Sequence, residues 1–226
     1  ALHLLPSGVF YQHTTSIIGN GVALNIPYLI KEIQSIVDRG VPKPRILVSD
    51  RAQMVMSYHK KFDAYEEERL AGKSFGSTKS GIAPFYSDKY AKIGFQVCEL
   101  FGDETALMEK LENVCALKNV LLEHLYHKPL LDPKELFDTM MEYKEMIAPY
   151  VCDVSRYLHD MKEYEIDALV LGCTHYPLLR GVIGREMGES VKLVNPAYET
   201  AKSLKDLLKE KDLLNVSGEK PEHKFF

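Results

Sequence analysis

The sequence is poor in cysteine, and its four cysteines are widely separated. They are Cys98, Cys115, Cys152 and Cys173, and no two of them form a C-x-x-C pair. This spacing excludes a disulfide framework and a cysteine-based zinc site. Reduced thiols, and with them a cytoplasmic location, are the expectation that follows.

Excess positive charge, long apolar runs and a leader segment are also missing. The formal net charge of −4 gives no basic surface, so nucleic-acid binding is not indicated. No apolar run approaches the ~20 residues that a membrane span needs. The apolar start of the sequence has no basic n-region and no small-residue cleavage site, so we expect no signal peptide.

What is present is enough for a packed core, because 46% of the 226 residues are hydrophobic. This length allows one large domain or two small ones. The hydrophobic pattern predicts a strand over residues 45–49, long helices over 103–126 and 133–160, and a short helix over 180–187. The fold class predicted is α/β, with an incomplete open sheet and flanking helices, a helix-rich middle, and a C-terminal strand-helix-strand-helix segment.

Residues 73–91 are rich in glycine, serine and proline, which predicts a long loop. Within it, residues 76–81 read GSTKSG, and we call them the glycine loop. Glycines let backbone N–H groups approach an anion, while hydroxyls and a lysine add donors. The order of a Walker A loop is absent, and composition alone favours an ordinary surface loop over an anion site.

A second candidate site lies in the run ALVLGCTHYPLL at residues 168–179. A buried strand breaks at Gly172 and presents Cys173, Thr174 and His175 at its C-terminal end, where open α/β sheets bind ligands. A thiol beside an imidazole suits a nucleophile or a proton-transfer site. The alternative is a small core residue, which is also the interpretation for the other three cysteines.

Three further positions are less specific. Residues 49–51 allow a functional and a structural interpretation, whereas Asn20 and His59 favour a structural role. Residues 49–51, SDR, are either a ligand-binding turn or a helix cap in which Asp50 caps and Arg51 pairs with an acid. Asn20 lies between two glycines, which is typical of a turn residue. His59 precedes two lysines, which predicts a solvated helix face.

Residues 1–160 resemble adenylosuccinate synthetase, the GTP-dependent enzyme that joins aspartate to IMP in purine biosynthesis. The matching runs, in the order of that family, are LHLLPSG, IIGNGVALN, ILVSDRA, FGSTKSGIAPFYSDKYAKIGFQV and LKNVLLEHLY. The resemblance implies that the glycine loop grips the IMP phosphate, with Thr78 at the place of a phosphate-binding threonine. Lys92 stands where many members have an arginine that reaches the neighbouring subunit's IMP site, which implies a homodimer. Mg²⁺ and GTP are the cofactors of the complete family.

Residues 166–226 resemble instead the C-terminal part of glutamate racemase, a cofactor-independent enzyme of peptidoglycan biosynthesis. The matching runs are DALVLGCTHYPLL, LVNPAYETAKSLKDLL and EKPEHKFF. The resemblance implies that the Cys173 thiolate moves the α-proton of glutamate, while Thr174 and His175 line the pocket. Residues 161–165 are then the junction between the two parts.

Each resemblance covers only part of its family. The synthetase-like part begins downstream of the GTP phosphate loop and of the catalytic Asp, Lys and His of that family, so we expect no cofactor to be retained and no turnover. The racemase-like part has one of the two catalytic cysteines of its family. Three hypotheses follow: a synthetase-like protein, a racemase-like protein, and a non-catalytic chimera or assembly artefact.

Overall fold

The structure is a computed structural model that describes residues 2–70, 76–161, 167–171 and 176–214. It divides into two compact units, residues 1–159 and residues 160–226. The strands are β1 Thr15–Ile18, β2 Ala23–Leu24, β3 Arg45–Ser49, β4 Gln53–Met54, β5 Val151–Cys152, β6 Ala168–Val170 and β7 Lys192–Val194. The α-helices are α1 Ile26–Val37, α2 Ser57–Arg69, α3 Ile82–Tyr90, α4 Glu104–Leu121, α5 Pro133–Ile147, α6 Val154–Asp160, α7 Arg180–Met187 and α8 Pro196–Glu210. Shorter helical turns are Ser7–Phe10, Val97–Phe101, Leu122–Tyr126, Ala148–Tyr150 and Tyr176–Leu179.

The first unit is built on an open parallel sheet with the strand order β1-β3-β5. Ile17 pairs with Leu47 across β1 and β3, and Val48 pairs with Val151 across β3 and β5. Strands β2 and β4 form a second parallel pair. The predicted α/β class with an open sheet and flanking helices is confirmed.

Helices α1 and α5 supply much of the core through regular apolar stripes. On α5, Leu136, Met140, Tyr143 and Ile147 are buried at steps of three and four residues, which places them on one helix face. Asp132 accepts a hydrogen bond from the Lys134 N–H, and proline occupies the first helical position. Capping and helical periodicity therefore agree, as stable amphipathic helices require.

The N-terminal segment is fixed to α1 by one carboxylate. Glu32 is nearly buried and accepts the backbone N–H groups of His3, Leu4 and Leu5 at 2.5, 3.0 and 2.9 Å. Three amide donors satisfy a carboxylate that would otherwise be costly to bury. This contact orders residues that have no regular secondary structure of their own.

The prediction of one helix over residues 133–160 is wrong. Helix α5 ends at Ile147, a helical turn containing Pro149 follows, and β5 pairs with β3 before α6 begins. Proline has no N–H to donate and clashes with the preceding turn, so the helix stops there. The two residues of β5 carry too short a pattern to be seen as a strand.

The prediction of a loop over residues 73–91 is also wrong in its second half. Helix α3 begins at Ile82, directly after Gly81, whose φ of 83° lies in the left-handed region. Pro84 lies in the first turn of α3, where the missing N–H costs no helical hydrogen bond. The glycine and proline that suggested a loop therefore mark the start of a helix.

The second unit follows the predicted order of strand, helix, strand and helix. Strands β6 and β7 pair in parallel, with Leu169 opposite Leu193. Asn195 caps α8 by accepting the N–H groups of Ala197 and Tyr198. Helix α7 has the bounds that the sequence pattern predicts. None of the helices in the described part of the chain is long and apolar enough to cross a bilayer.

Candidate functional site

The glycine loop is fastened to helix α2 by the Asp63 carboxylate. One oxygen accepts the Ser77 hydroxyl at 2.6 Å, and the other accepts the Gly81 backbone N–H at 2.8 Å. The Ser77 hydroxyl oxygen in turn accepts the Lys79 N–H at 3.0 Å. The two ends of the loop are thus tied to a single side chain that is only 7% exposed.

Gly81 lies against the backbone of α2 with no room for a side chain. A Cβ atom at this position would stand 2.8 Å from the carbonyl carbon of His59 and 2.8 Å from the amide nitrogen of Lys60. Its φ of 83° also favours glycine. Gly76, at the other end of the loop, has a φ of 72° but open space around it.

The outer part of the loop offers hydrogen-bond donors to solvent. Thr78 is exposed, and its hydroxyl lies 2.5 Å from the Ser80 hydroxyl. Ile82 and Ala83 are exposed in the first turn of α3, where N–H groups have no acceptor within the helix. Hydroxyls, the amides of a helix's first turn and the positive end of the helix dipole together suit a phosphate or another anion.

Behind the loop, a buried network joins α2, α3 and α4. The Asp88 carboxylate accepts the Tyr58 hydroxyl at 3.2 Å, the His59 ring Nε2–H at 3.0 Å, and the Lys118 ammonium. The Met56 N–H donates to the other His59 ring nitrogen at 2.9 Å, so Nε2 carries the proton of the neutral ring. The side chains of Asp88 and Lys118 are 2% and 10% exposed, so this ion pair is shielded from water.

Burial and the Asp88 charge shift the pKa values of this network. Burial lowers the pKa of His59, although the Asp88 carboxylate opposes this change. Burial alone would raise the pKa of Asp88, but hydrogen bonds from His59 and Lys118 outweigh burial and lower it. Burial and Asp88 together raise the pKa of Tyr58 well above its usual value. At neutral pH the network therefore holds a carboxylate, an un-ionised phenol and a neutral imidazole.

These shifts predict that acid destabilises the fold from pH ~6.5 downward. The unfolded chain binds a proton at His59 near pH 6.5, whereas the folded chain resists it, so stability falls as pH drops below that value. The Asp88 contribution is present above pH ~3.9 and is lost as pH falls through its lowered folded pKa. Urea unfolding at pH 7.5, 6.0 and 5.0 measures this, and His59→Gln should lose less stability between pH 7.5 and 5.0 than the parent. An equal loss in both proteins would contradict the assignment.

The two substrate-binding residues inferred for the synthetase-like part flank helix α3 on its two sides in sequence. Thr78 precedes α3, and Lys92 follows it in a left-handed conformation with a φ of 61°. Helix α3 itself is about 14 Å long, at 1.5 Å for each of its nine residues. Lys92 is exposed and borders a surface depression that Glu109, Lys110 and Leu117 also line.

The inferred racemase residues Cys173, Thr174 and His175 lie outside the described residues. The other three cysteines are not activated. Burial raises the pKa of the Cys115 thiol to about 11, and burial also raises the pKa values of Cys98 and Cys152. None of these three thiols is therefore a thiolate at neutral pH.

The turn at residues 49–51 lies at the C-terminal end of β3. The Ser49 hydroxyl donates to the Asn20 side-chain oxygen at 2.5 Å, which ties the turns after β1 and β3 together. Asp50 caps no helix, since β4 follows it, and its N–H donates to the Cys152 carbonyl. The capping interpretation of Asp50 is therefore wrong, and Asn20 orders a turn, as predicted.

The prediction that His59 faces solvent is wrong. Asp63, Asp88 and Lys118 were not predicted as buried polar residues near the glycine loop either. His59 is fully buried, while Lys60 and Lys61 are exposed. The buried positions of α2 are 58, 59, 62 and 63, which form one helical stripe. The charged residues next to them in sequence make this stripe difficult to recognise. Reading Tyr58 and Phe62 as one apolar face would have placed His59 and Asp63 beside it.

The described residues contain no group of three or more His, Cys, Asp or Glu that could hold a metal ion. Two carboxylates near the glycine loop, Asp63 and Asp88, are already occupied by protein donors. This set does not fit the Mg²⁺ of the complete synthetase family.

Comparison with known proteins gives one consistent result. The sequence model of the adenylosuccinate synthetase family matches residues 1–175. The adenylosuccinate synthetases of Caldicellulosiruptor bescii and Bacillus cytotoxicus are both 42% identical to the chain, over 160 and 159 residues. These alignments cover 70% of this chain and 37% of each relative. The solved structure of fully ligated adenylosuccinate synthetase from Plasmodium falciparum is 28% identical, with a TM-score of 0.56, over 72% of this chain and 37% of that one.

The chain thus spans little more than a third of the relatives that it matches. The family match runs to residue 175, past the junction predicted at residues 161–165, and these matches give no support to a racemase part. Because the match covers well over half of the sequence, the chain belongs to the adenylosuccinate synthetase family.

Proposed function

We propose that the glycine loop binds the 5′-phosphate of IMP, as part of a cytoplasmic adenylosuccinate synthetase of purine biosynthesis. The observation that carries this proposal is the loop itself: exposed hydroxyls and helix N–H groups stand on an outer surface whose two ends are fixed to Asp63. Such a preordered cluster of donors suits a dianionic phosphate. Family membership supports IMP as the molecule that carries this phosphate.

Within this proposal, Thr78 donates its hydroxyl to a phosphate oxygen. Its exposure leaves it accessible, and the Ser80 hydroxyl beside it can donate to the Thr78 hydroxyl oxygen while Thr78 donates to the phosphate. Lys92 contributes to the IMP site of a neighbouring subunit in a homodimer. Lys92 follows the C-terminal end of α3, which is about 14 Å long, whereas its own loop precedes this helix, and this favours a role away from that loop. A lysine keeps the charge of an arginine but not its bidentate geometry.

The aspartate, GTP and Mg²⁺ of the complete reaction belong to the family as a whole. Absence of turnover by the 226-residue chain alone stays a prediction of the sequence analysis. The racemase hypothesis for residues 166–226 rests on its sequence argument, because Cys173, Thr174 and His175 lie outside the described residues. The interpretation as a non-catalytic chimera predicts binding of neither IMP nor glutamate.

Replacing Thr78 by valine should weaken IMP binding about ten- to one-hundred-fold, since a hydrogen bond to a charged group is worth about 1.5–3 kcal/mol. Valine keeps the shape and removes only the hydroxyl. Isothermal titration calorimetry of IMP against the parent and Thr78→Val measures the difference.

The matched control is Thr139→Val, which makes the same chemical change on α5, where the hydroxyl donates to the Glu135 carbonyl. Its IMP affinity should equal that of the parent. Equal affinities of the parent and Thr78→Val would overturn the role of Thr78. Absence of IMP binding by the folded parent would overturn the proposed function.

A further inference from the structure

We propose that Asp63 is a positioning residue that holds the glycine loop in its phosphate-binding shape. The inference rests on the proposed function. Glu67 on α2 also accepts the Ser77 N–H, at 3.3 Å, but Asp63 alone bonds to both ends of the loop. Asp63 does not touch the phosphate in this account; it acts through the Ser77 hydroxyl and the Gly81 N–H.

Asp63 forms two hydrogen bonds to the glycine loop, one near each end. A single carboxylate accepts hydrogen bonds from residues 77 and 81, so residues 77–81 form a short closed turn, which we call the arch. Lys79, within this arch, has a φ of 54°, which a free loop would rarely keep. The two hydrogen bonds therefore hold a conformation that the loop sequence does not favour by itself.

Helix α2, which carries Asp63, is held in place by buried side chains. Its neighbours Tyr58, His59 and Phe62 are buried, and the Tyr58 and His59 side chains donate to Asp88 on α3. These contacts fix α2 at the point where Gly81 approaches it. Because Asp63 lies on this fixed helix, its hydrogen bonds hold the loop in one position.

The Asp63 charge lies on the side of the loop away from the exposed donors. A carboxylate opposes anion binding nearby, and its effect weakens as the distance between the two charges grows. Both Asp63 oxygens accept donors from the loop, and the residue is nearly buried, whereas Thr78 and Lys79 are exposed. The negative charge therefore faces the inner side of the arch, and the donors on its outer side stay available.

The test compares IMP with inosine, which lacks the phosphate, by calorimetry on the full chain. Asp63→Ala removes the two Asp63 hydrogen bonds and leaves only the longer one from the Ser77 N–H to Glu67. It should weaken IMP binding about ten- to one-hundred-fold, the effect of losing a charge-assisted hydrogen bond. Inosine affinity should stay within about twofold of the parent. Asp63→Asn should recover most of the IMP affinity, because its amide oxygen can accept from Gly81 while its NH₂ group donates to Ser77.

Glu32→Ala is the matched control, because Glu32 is another buried carboxylate that accepts backbone N–H groups, far from the loop in sequence. It should lower stability without changing the ratio of IMP to inosine affinity. If Asp63→Ala does not fold, Ser77→Ala removes one of the two Asp63 hydrogen bonds and should give a smaller loss of IMP affinity alone. Hydrogen exchange of the Gly81 amide should also quicken in Asp63→Ala.

The outcomes separate this inference from the proposed function. A parent chain that binds IMP and inosine with equal affinity would contradict both the proposed function and the inference. If the parent binds IMP more tightly than inosine and Asp63→Ala keeps the same ratio of affinities, only the role of Asp63 is contradicted. If Asp63→Ala loses affinity for IMP and inosine equally, or if Glu32→Ala loses as much IMP affinity, Asp63 does not position the loop. It then contributes only to the stability of the fold.

Discussion

Replacing Asp88 by asparagine should lower the free energy of unfolding by about 3–5 kcal/mol, the usual cost of removing one partner of a buried ion pair. Lys118 would keep its charge in a site where its ammonium has lost the carboxylate and lies 5.4 Å from the centre of the Phe62 ring. Asparagine also has one side-chain acceptor where Asp88 serves three donors. Urea unfolding at pH 7.5 measures this loss.

A double-mutant cycle separates the ion pair from simple loss of packing. Lys118→Met should also destabilise the chain, but the double variant Asp88→Asn/Lys118→Met should lose less than the sum of the single losses, because no charge remains buried. The matched control is Lys134→Met, which breaks an exposed pair with Asp138 on α5 and should cost about 0.2–1 kcal/mol. A loss in Asp88→Asn no larger than that of the control would contradict the role of the network.

Gly81→Ala should destabilise the chain by about 2–4 kcal/mol, the sum of a left-handed backbone cost of ~1 kcal/mol and overpacking of about 1–3 kcal/mol. The new Cβ would meet the His59 and Lys60 backbone at 2.8 Å, and α2 cannot move away while His59 is bonded to Asp88. We also expect the Asp63 bond to the Gly81 N–H to lengthen or break. Thermal and urea unfolding measure the loss.

Gly76→Ala is the matched control for Gly81→Ala, since both glycines have positive φ and belong to the same loop. A Cβ at Gly76 would meet nothing within 4 Å, so only the backbone cost of ~1 kcal/mol is expected. The difference between the two variants isolates the contact with α2. Equal losses in the two variants would show that this contact does not constrain the loop.

The parts of the fold that the sequence predicted are those with a strong local pattern. Strand β3 at Arg45–Ser49 and helix α7 at Arg180–Met187 have the predicted bounds. Helix α5 begins at residue 133, where the predicted helix also begins, with Asp132 as its cap and a proline at the first helical position. In each case the residues that decide the structure lie within a few positions of one another.

The parts that the sequence did not predict depend on contacts between distant positions. Two residues form β5 because β3 lies beside them, not because Val151 and Cys152 carry a strand pattern. His59 was expected in solvent because two lysines follow it. It is buried because Asp88, 29 positions away, accepts a hydrogen bond from its ring Nε2–H.

The glycine loop was recognised from its composition and from the family resemblance, but its anchor was not. Asp63 lies 14 and 18 positions before its two partners, on a helix whose charged stretch reads as surface. The pairing of one carboxylate with a hydroxyl and a backbone N–H cannot be derived from spacing. It follows from the packing of α3 against α2, which Gly81 permits.

The most direct test of phosphate binding by the glycine loop is a titration of the ¹⁵N-labelled chain, followed by amide NMR shifts. Our account predicts that IMP shifts the amide signals of residues 77–83, Pro84 having none, and that inosine at the same concentration leaves them unchanged. Shifts confined to other regions on adding IMP, or identical loop shifts with IMP and inosine, would contradict it.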